Sequence, residues 1–258
     1  MQRDTPNGKR PTDVYFFATC LVDLFCPEAG IDAITLLERE GVRVHFPENQ
    51  TCCGQPAYTS GYADEARAVA LLQMTLFPND WPVVVPSGSC AGMMRHHYPK
   101  LFADDPQQKA KAEALGERIF ELSEFLLKVL KVQWRDAGQP ATVTLHTSCA
   151  ARREMGTHEH ARALLAQLPG VEVVLQSHES ECCGFGGTFS LKHPSISSAM
   201  AGDKADALKE TGAQTFLSAD CGCMLNINHT LQKRGDAFQG KHLATFLRER
   251  LEAEGEKV

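Results

Sequence analysis

Two short stretches, ENQTCCGQPAYTSG (48–61) and ESECCGFGGTFS (179–190), each place two adjacent cysteines before a glycine, about 130 residues apart. The chain has ten cysteines in 258 residues. Nine fall into a repeated order: Cys20, Cys52, Cys53 and Cys90, then Cys149, Cys182, Cys183, Cys221 and Cys223, with Cys26 outside it. Cys20 to Cys52 is 32 positions and Cys149 to Cys182 is 33. Cys53 to Cys90 is 37, and Cys183 lies 38 from Cys221 and 40 from Cys223. Matching order, gaps and tripeptide indicate a tandem duplication.

Four matched thiolates in each half satisfy the all-cysteine ligand set of an iron–sulfur cluster. They also satisfy a closed structural zinc site, and the softness of sulfur suits both. Spacing favours the cluster, because short C-x2-C knuckles are absent and adjacent cysteines diverge toward an extended, multi-iron object. Zinc in at least one half is the alternative, and a redox dithiol is a third reading. Gly54 and the run Gly184-Phe185-Gly186-Gly187 permit positive φ angles and close backbone approach to a bulky inorganic group. Tight strand-to-helix turns account for them equally well. GFGG lacks the G-x-G-x-x-G spacing of a dinucleotide site.

The second site has two cysteines that could close it. Spacing alone favours Cys221. Local pattern favours Cys223, which opens the predicted helix CMLNINHTLQK as Cys90 opens CAGMMRHHYP, and a helix N-terminus stabilises a thiolate. The expected ligand sets are Cys20, Cys52, Cys53 and Cys90, and Cys149, Cys182, Cys183 and Cys223, with Cys221 as the alternative ligand.

The elements that must position these thiols repeat as well. Strands are predicted at 13–19, 42–46 and 82–86, and helices at 28–40 and 63–77, after Cys90, and within 107–133. The second half follows with strands at 141–148, 171–176 and 213–219 and helices at 159–168, 195–210 and after Cys223. The fold class is α/β: two tandem, pseudo-equivalent β-α-β-α-β-α halves, each with a parallel sheet and a cysteine cluster at the carboxyl ends of its strands. Gly138 and Pro140 mark the boundary, giving repeat domains of residues 1–138 and 139–258.

Hydrophobic content of 43% and charged content of 22% are those of a soluble globular protein. With a net charge of −6 and no run of Lys and Arg, nucleic acid is not an expected partner. No apolar stretch reaches membrane-span length, and MQRDTPNGKRPTD has no secretory h-region. A cytoplasmic location is expected, where thiols stay reduced and serve as ligands or redox groups.

His146, three positions before Cys149, could hydrogen-bond a cluster sulfide or donate a proton, or be a satisfied strand-end histidine. Arg152 and Arg153 could clamp a carboxylate, with solvated helix charges the plainer reading. His96 and His97 are read as surface or packing residues, and Cys26 as a buried small hydrophobe. No catalytic triad, carboxylate pair, phosphate loop, flavin or nicotinamide motif stands out, which favours an electron-transfer subunit over a self-sufficient dehydrogenase.

The duplicated Cys…Cys-Cys-Gly…Cys pattern, with CCGQP in one copy and CCGFGGTFS in the other, resembles the cysteine-rich CCG-domain proteins over essentially the whole chain. Within them it is most similar to the lactate utilisation protein A family of iron–sulfur proteins. More distantly it resembles the iron–sulfur subunit of glycolate oxidase and the cysteine-rich subunit of heterodisulfide reductase. The resemblance implies a subunit of a complex that oxidises lactate, a small 2-hydroxyacid, to pyruvate and passes electrons through two 4Fe-4S clusters. It implies partners from the same system, one a ferredoxin-type iron–sulfur protein, and it places the closing cysteine just before MLNI, at Cys223. Repeats of the heterodisulfide reductase branch close with Cys-x-x-Cys, whereas here Met93 and Asn226 stand in the last position. The alternatives of other classes are a zinc-stabilised scaffold or assembly protein and a thiol–disulfide reductase related to heterodisulfide reductase.

Overall fold

The computed structural model describes residues 10–252; the leader reading of residues 1–9 lies outside them. Its first half runs β1 (Asp13–Phe16), α1 (Cys20–Phe25), α2 (Pro27–Arg39), β2 (Arg43–His45), α3 (Gln55–Thr59), α4 (Ala63–Met74), β3 (Val83–Val85), α5 (Gly88–Gly92), α6 (Tyr98–Leu101), α7 (Pro106–Arg118), β4 (Ile119–Glu121) and α8 (Leu122–Glu124). The second half runs β5 (Ala141–Leu145), α9 (Thr157–Leu165), β6 (Val171–Val174), α10 (Phe189–Lys192), α11 (Pro194–Lys209), β7 (Thr215–Ser218), α12 (Cys221–Lys233), β8 (Gly240–His242) and α13 (Leu243–Leu251). Single π-helical segments at Met93–His97, Phe125–Leu130 and Ala151–Met155 continue neighbouring helices.

The described residues form two four-stranded sheets of identical order, β2-β1-β3-β4 and β6-β5-β7-β8, with every pairing parallel. Central strands are buried on both faces and accordingly read as short apolar runs, VVV in β3 and TFLS in β7. The expected strands and crossover helices are present in both halves. Each half also has a fourth strand that the three-strand expectation missed. IFE in β4 is fused to the helical run before it, and GKH in β8 has no alternating apolar pattern.

The halves share one core. Val14, Phe16, Leu36 and Phe120 pack in the same cluster as Val143, Leu145, Leu217 and Leu247. On the surface of this core Arg248 in α13 reaches Asp32 in α2 at 2.5 Å. No described helix is long and apolar enough to cross a membrane.

Candidate metal centres at the carboxyl edges of the two sheets

In each half the thiols follow three adjacent strands. Cys20 opens α1 after β1, Cys52 and Cys53 follow β2, and Cys90 is the third residue of α5 after β3. Cys149 follows β5, Cys182 and Cys183 follow β6, and Cys223 is the third residue of α12 after β7. Parallel strands direct all their carboxyl ends to one edge, so residues distant in the chain converge there.

The convergence takes the same form twice. In the first half Cys20 and Cys53 both hydrogen-bond to Cys52, and Cys53 also reaches Cys90. In the second, Cys149 and Cys183 hydrogen-bond to Cys182, and Cys183 also reaches Cys223. The central sulfur is the acceptor in each set. Hydrogen bonds from Cys20 and Cys53 hold the Cys52 thiol down to about 3, and those from Cys149 and Cys183 hold Cys182 down to about 2. The donors move the opposite way: Cys20 and Cys149 are pushed up by bonding to that acceptor and by burial.

The backbone supports the same sulfurs. The Gly54 N–H donates to Cys52 Sγ at 3.4 Å, and the Gly184 N–H donates to Cys182 Sγ at 3.4 Å. Both glycines are left-handed, at φ +84° and +81°, a conformation that glycine adopts without strain. Gly186 and Gly187 are left-handed too. A polar side chain also holds the carbonyl of the second adjacent cysteine in each half. Tyr98 Oη–H donates to Cys53 O at 3.0 Å, and Asn226 Nδ2 donates to Cys183 O at 2.9 Å. Asn226, which stands where a Cys-x-x-Cys closure would have a thiol, is thus committed to the backbone.

Cys90 and Cys223 occupy the same helical position, after Ser87-Gly88-Ser89 and Asp220-Cys221-Gly222. Cys221 is therefore the counterpart of Gly88. Its thiol hydrogen-bonds Cys26 from the first half, which with burial pushes the Cys221 thiol up. Cys26, the expected buried small hydrophobe, is thus half-buried, packed against a hydrophobic cluster mainly of the second half and also paired with that thiol.

His146 is fully buried, and neither ring nitrogen has a hydrogen-bond partner among the described residues. A ring nitrogen of His146 and the sulfurs of Cys183 and Cys223 lie within 4.8 Å of one another. Burial pushes the imidazole down to about 3, so it is neutral at physiological pH. Arg152 is paired with Glu179 at 3.1 Å, which Arg162 also holds, and Arg153 is exposed. His97 packs against Tyr58 and bridges its hydroxyl (3.1 Å) to Glu154 Oε1 (2.9 Å), a packing role across the halves. Arg95 forms a buried pair with Glu124 at 2.8 Å, fastening the helical run after Cys90 to α8.

Each thiol set offers four soft donors with at least one backbone N–H aimed at sulfur. Such a donor set is compatible with a metal ion or a metal–sulfur cluster. The structure brings together, four in each half, the eight cysteines that the sequence pattern grouped. That pattern missed Tyr98 as a carbonyl anchor and the pairing of Cys26 with Cys221.

The CCG cysteine-rich domain matches twice, at residues 14–95 and 143–228. The chain is 43% identical over 235 residues to lactate utilization protein A of Shouchella clausii (strain KSM-K16), covering 91% of this chain and 98% of that one. It is 41% identical over 237 residues to lactate utilization protein A of Bacillus subtilis (strain 168), covering 92% and 99%. A hypothetical protein from Helicobacter pylori shares the fold, with a TM-score of 0.69 at 11% identity over 100% of this chain and 51% of that chain.

Proposed function

Since the chain belongs to the lactate utilization protein A family and carries the CCG cysteine-rich domain twice, we propose that it is the iron–sulfur electron-transfer subunit of a cytoplasmic system that oxidises lactate to pyruvate. The observation that carries this reading is the convergence, in both halves, of four thiols at the carboxyl ends of three adjacent parallel strands, with a glycine N–H on the first sulfur of each Cys-Cys pair. Cys20, Cys52, Cys53 and Cys90 would hold one four-iron cluster, and Cys149, Cys182, Cys183 and Cys223 the other. Such a group supplies one-electron transfer at a potential that its protein surroundings set.

The chain's own residues prepare both places. Hydrogen bonds from their neighbours hold the Cys52 and Cys182 thiols low, which favours the thiolate, the form that binds metal. Gly54 and Gly184 direct N–H groups at those sulfurs, and charge on sulfur is stabilised by such donors. Tyr98 and Asn226 hold the Cys-Cys backbone against α6 and α12. Cys53 and Cys183 are buried, which excludes water from one side of each set.

Hydride abstraction from a 2-hydroxyacid calls for a cofactor that accepts two electrons, and the chain has no flavin or nicotinamide motif. The system's other subunits, one with ferredoxin-type clusters, therefore complete the path in this reading. The test is to mix anaerobic chain with lactate and an artificial acceptor, alone and with the proteins of its system. Turnover is expected only in the mixture, with visible bleaching of this chain's absorption. Rapid turnover by the chain alone would contradict the role.

A further inference from the structure

The two thiol sets share one arrangement along their strands, yet their surroundings differ. Phe17 and His146 each precede the first cysteine of their set by three residues. Their backbone roles are the same: the Phe17 N–H donates to Val84 O and the His146 N–H to Leu217 O, both at 2.9 Å. Both side chains are fully buried. One ring is hydrocarbon. The other has a donor and an acceptor nitrogen that no group among the described residues satisfies.

A buried polar group without a partner costs about 1–3 kcal/mol, so an orphaned imidazole indicates that something at its site completes it. The sulfurs of Cys183 and Cys223 lie within 4.8 Å of one of its ring nitrogens. Four thiols already supply one ligand per iron of a four-iron cluster, which leaves the imidazole as a donor rather than a ligand.

A second difference points the same way. Gln50 and Gln176 are equivalent: Gln50 Nε2 donates to Phe16 O at 2.9 Å and Gln176 Nε2 to Leu145 O at 2.5 Å. The oxygen of Gln50 accepts the Ala18 N–H at 2.9 Å. The oxygen of Gln176 instead accepts from the ammonium of Lys204 at 3.1 Å, a side chain that is 1% exposed and also donates to His178 O. The second half thus has a buried lysine that interacts electrostatically with Cys182, Cys183 and Cys223, where the first half has a backbone amide.

We infer that His146 donates a ring N–H hydrogen bond to the sulfur ligands of the second site and, with Lys204, makes that site the more readily reduced of the two. This rests on the iron–sulfur reading of the two thiol sets. Hydrogen bonds to sulfur and nearby positive charge favour the reduced, more negative form of a cluster. An electron entering the chain would settle in the second half, and the first half would serve as the relay.

The experiment is a redox titration of the anaerobically purified full chain followed by electron paramagnetic resonance, with iron measured on the same samples. The chain is expected to reduce in two waves. His146→Phe, which installs the first half's own residue, should move the upper wave to more negative potential while the lower wave and the iron content stay unchanged. Phe17→His should move the lower wave upward. Iron retained with both waves unmoved in His146→Phe would overturn the inference and leave the iron–sulfur reading standing. Loss of about half the iron in His146→Phe would overturn it also, making the imidazole a ligand. If that variant does not fold, an unmoved lower wave in Phe17→His decides against it. A chain purified with no iron at all would remove the reading and the inference together.

Discussion

Asp220 Oδ1 accepts hydrogen bonds from Ser87 Oγ at 2.9 Å and from the Ser89 backbone N–H at 3.0 Å. Asp220 is the residue before α12, whose third position is Cys223, and Ser87 is the residue before α5, whose third position is Cys90. A carboxylate from one half thereby satisfies a free N–H at the start of the helix that presents a thiol in the other. The two sites are mechanically joined through it.

Asp220→Ala should therefore weaken a site it does not belong to. Leaving the Ser89 N–H unpaired, and Ser87 Oγ with only Ser89 Oγ at 3.4 Å, costs about 1–3 kcal/mol, measured by urea unfolding. Iron bound by the first-half thiols should also become easier to remove with a chelator. Asp220→Asn, which keeps one acceptor oxygen, should recover part of both. Unchanged stability and chelator kinetics in Asp220→Ala would show that the cross-half contact contributes nothing.

The Cys221 thiol is hydrogen-bonded to Cys26, and in the proposed ligand assignment it stands outside the second thiol set. Cys223→Ser should lose about half the iron, one of two clusters, while Cys221→Ser and Cys26→Ser keep most of it. Retention in Cys223→Ser with loss in Cys221→Ser would reverse the assignment.

Gly184 and Gly61 are both left-handed, at φ +81° and +85°. A Cβ on Gly184 would lie 2.6 Å from Ser197 O, whereas one on Gly61 meets nothing within 4 Å. Gly61→Ala should cost about 1–2 kcal/mol, the penalty of the backbone conformation alone. Gly184→Ala carries the clash as well and moves the amide that supports Cys182. It should be the more destabilising by thermal unfolding and should lower iron in the second half; equal effects from the two would contradict this.

The central elements were legible because the strands are short apolar runs punctuated by helices with amphipathic spacing, and because the repeat doubled each signal. The third position of Cys90 and Cys223 in their helices followed from local pattern, where raw spacing pointed to Cys221. What escaped was tertiary. Tyr98 lies eight residues past Cys90 and Asn226 three past Cys223, so two residues doing the same work share no spacing. Cys26 pairs with a thiol from the opposite half, and no periodicity within one half announces that contact. The orphaned state of His146 is a property of its burial, which the sequence motif HTSC alone does not specify.

Glu121 gives stability a pH dependence. It is 1% exposed, and burial pushes its carboxyl up to about 8, against opposing hydrogen bonds from Ser123 and the Glu124 N–H. Because the folded value is raised, its contribution is fully present below the unfolded value, near 4.5, and is lost as pH rises toward about 8. The loss across that window is at most about 5 kcal/mol. Glu121→Gln should flatten this part of the profile in denaturant titrations at a series of pH values. A wild-type stability that rises steadily from pH 5 to 8, unaffected by the substitution, would refute it.

The most direct test of two iron–sulfur sites on one duplicated scaffold is metal and acid-labile sulfide analysis of anaerobically purified protein. Brown protein with about eight iron and about eight sulfide per chain is expected, falling to about half in Cys52→Ser and in Cys182→Ser alike. Colourless protein with stoichiometric zinc and no sulfide would contradict the account.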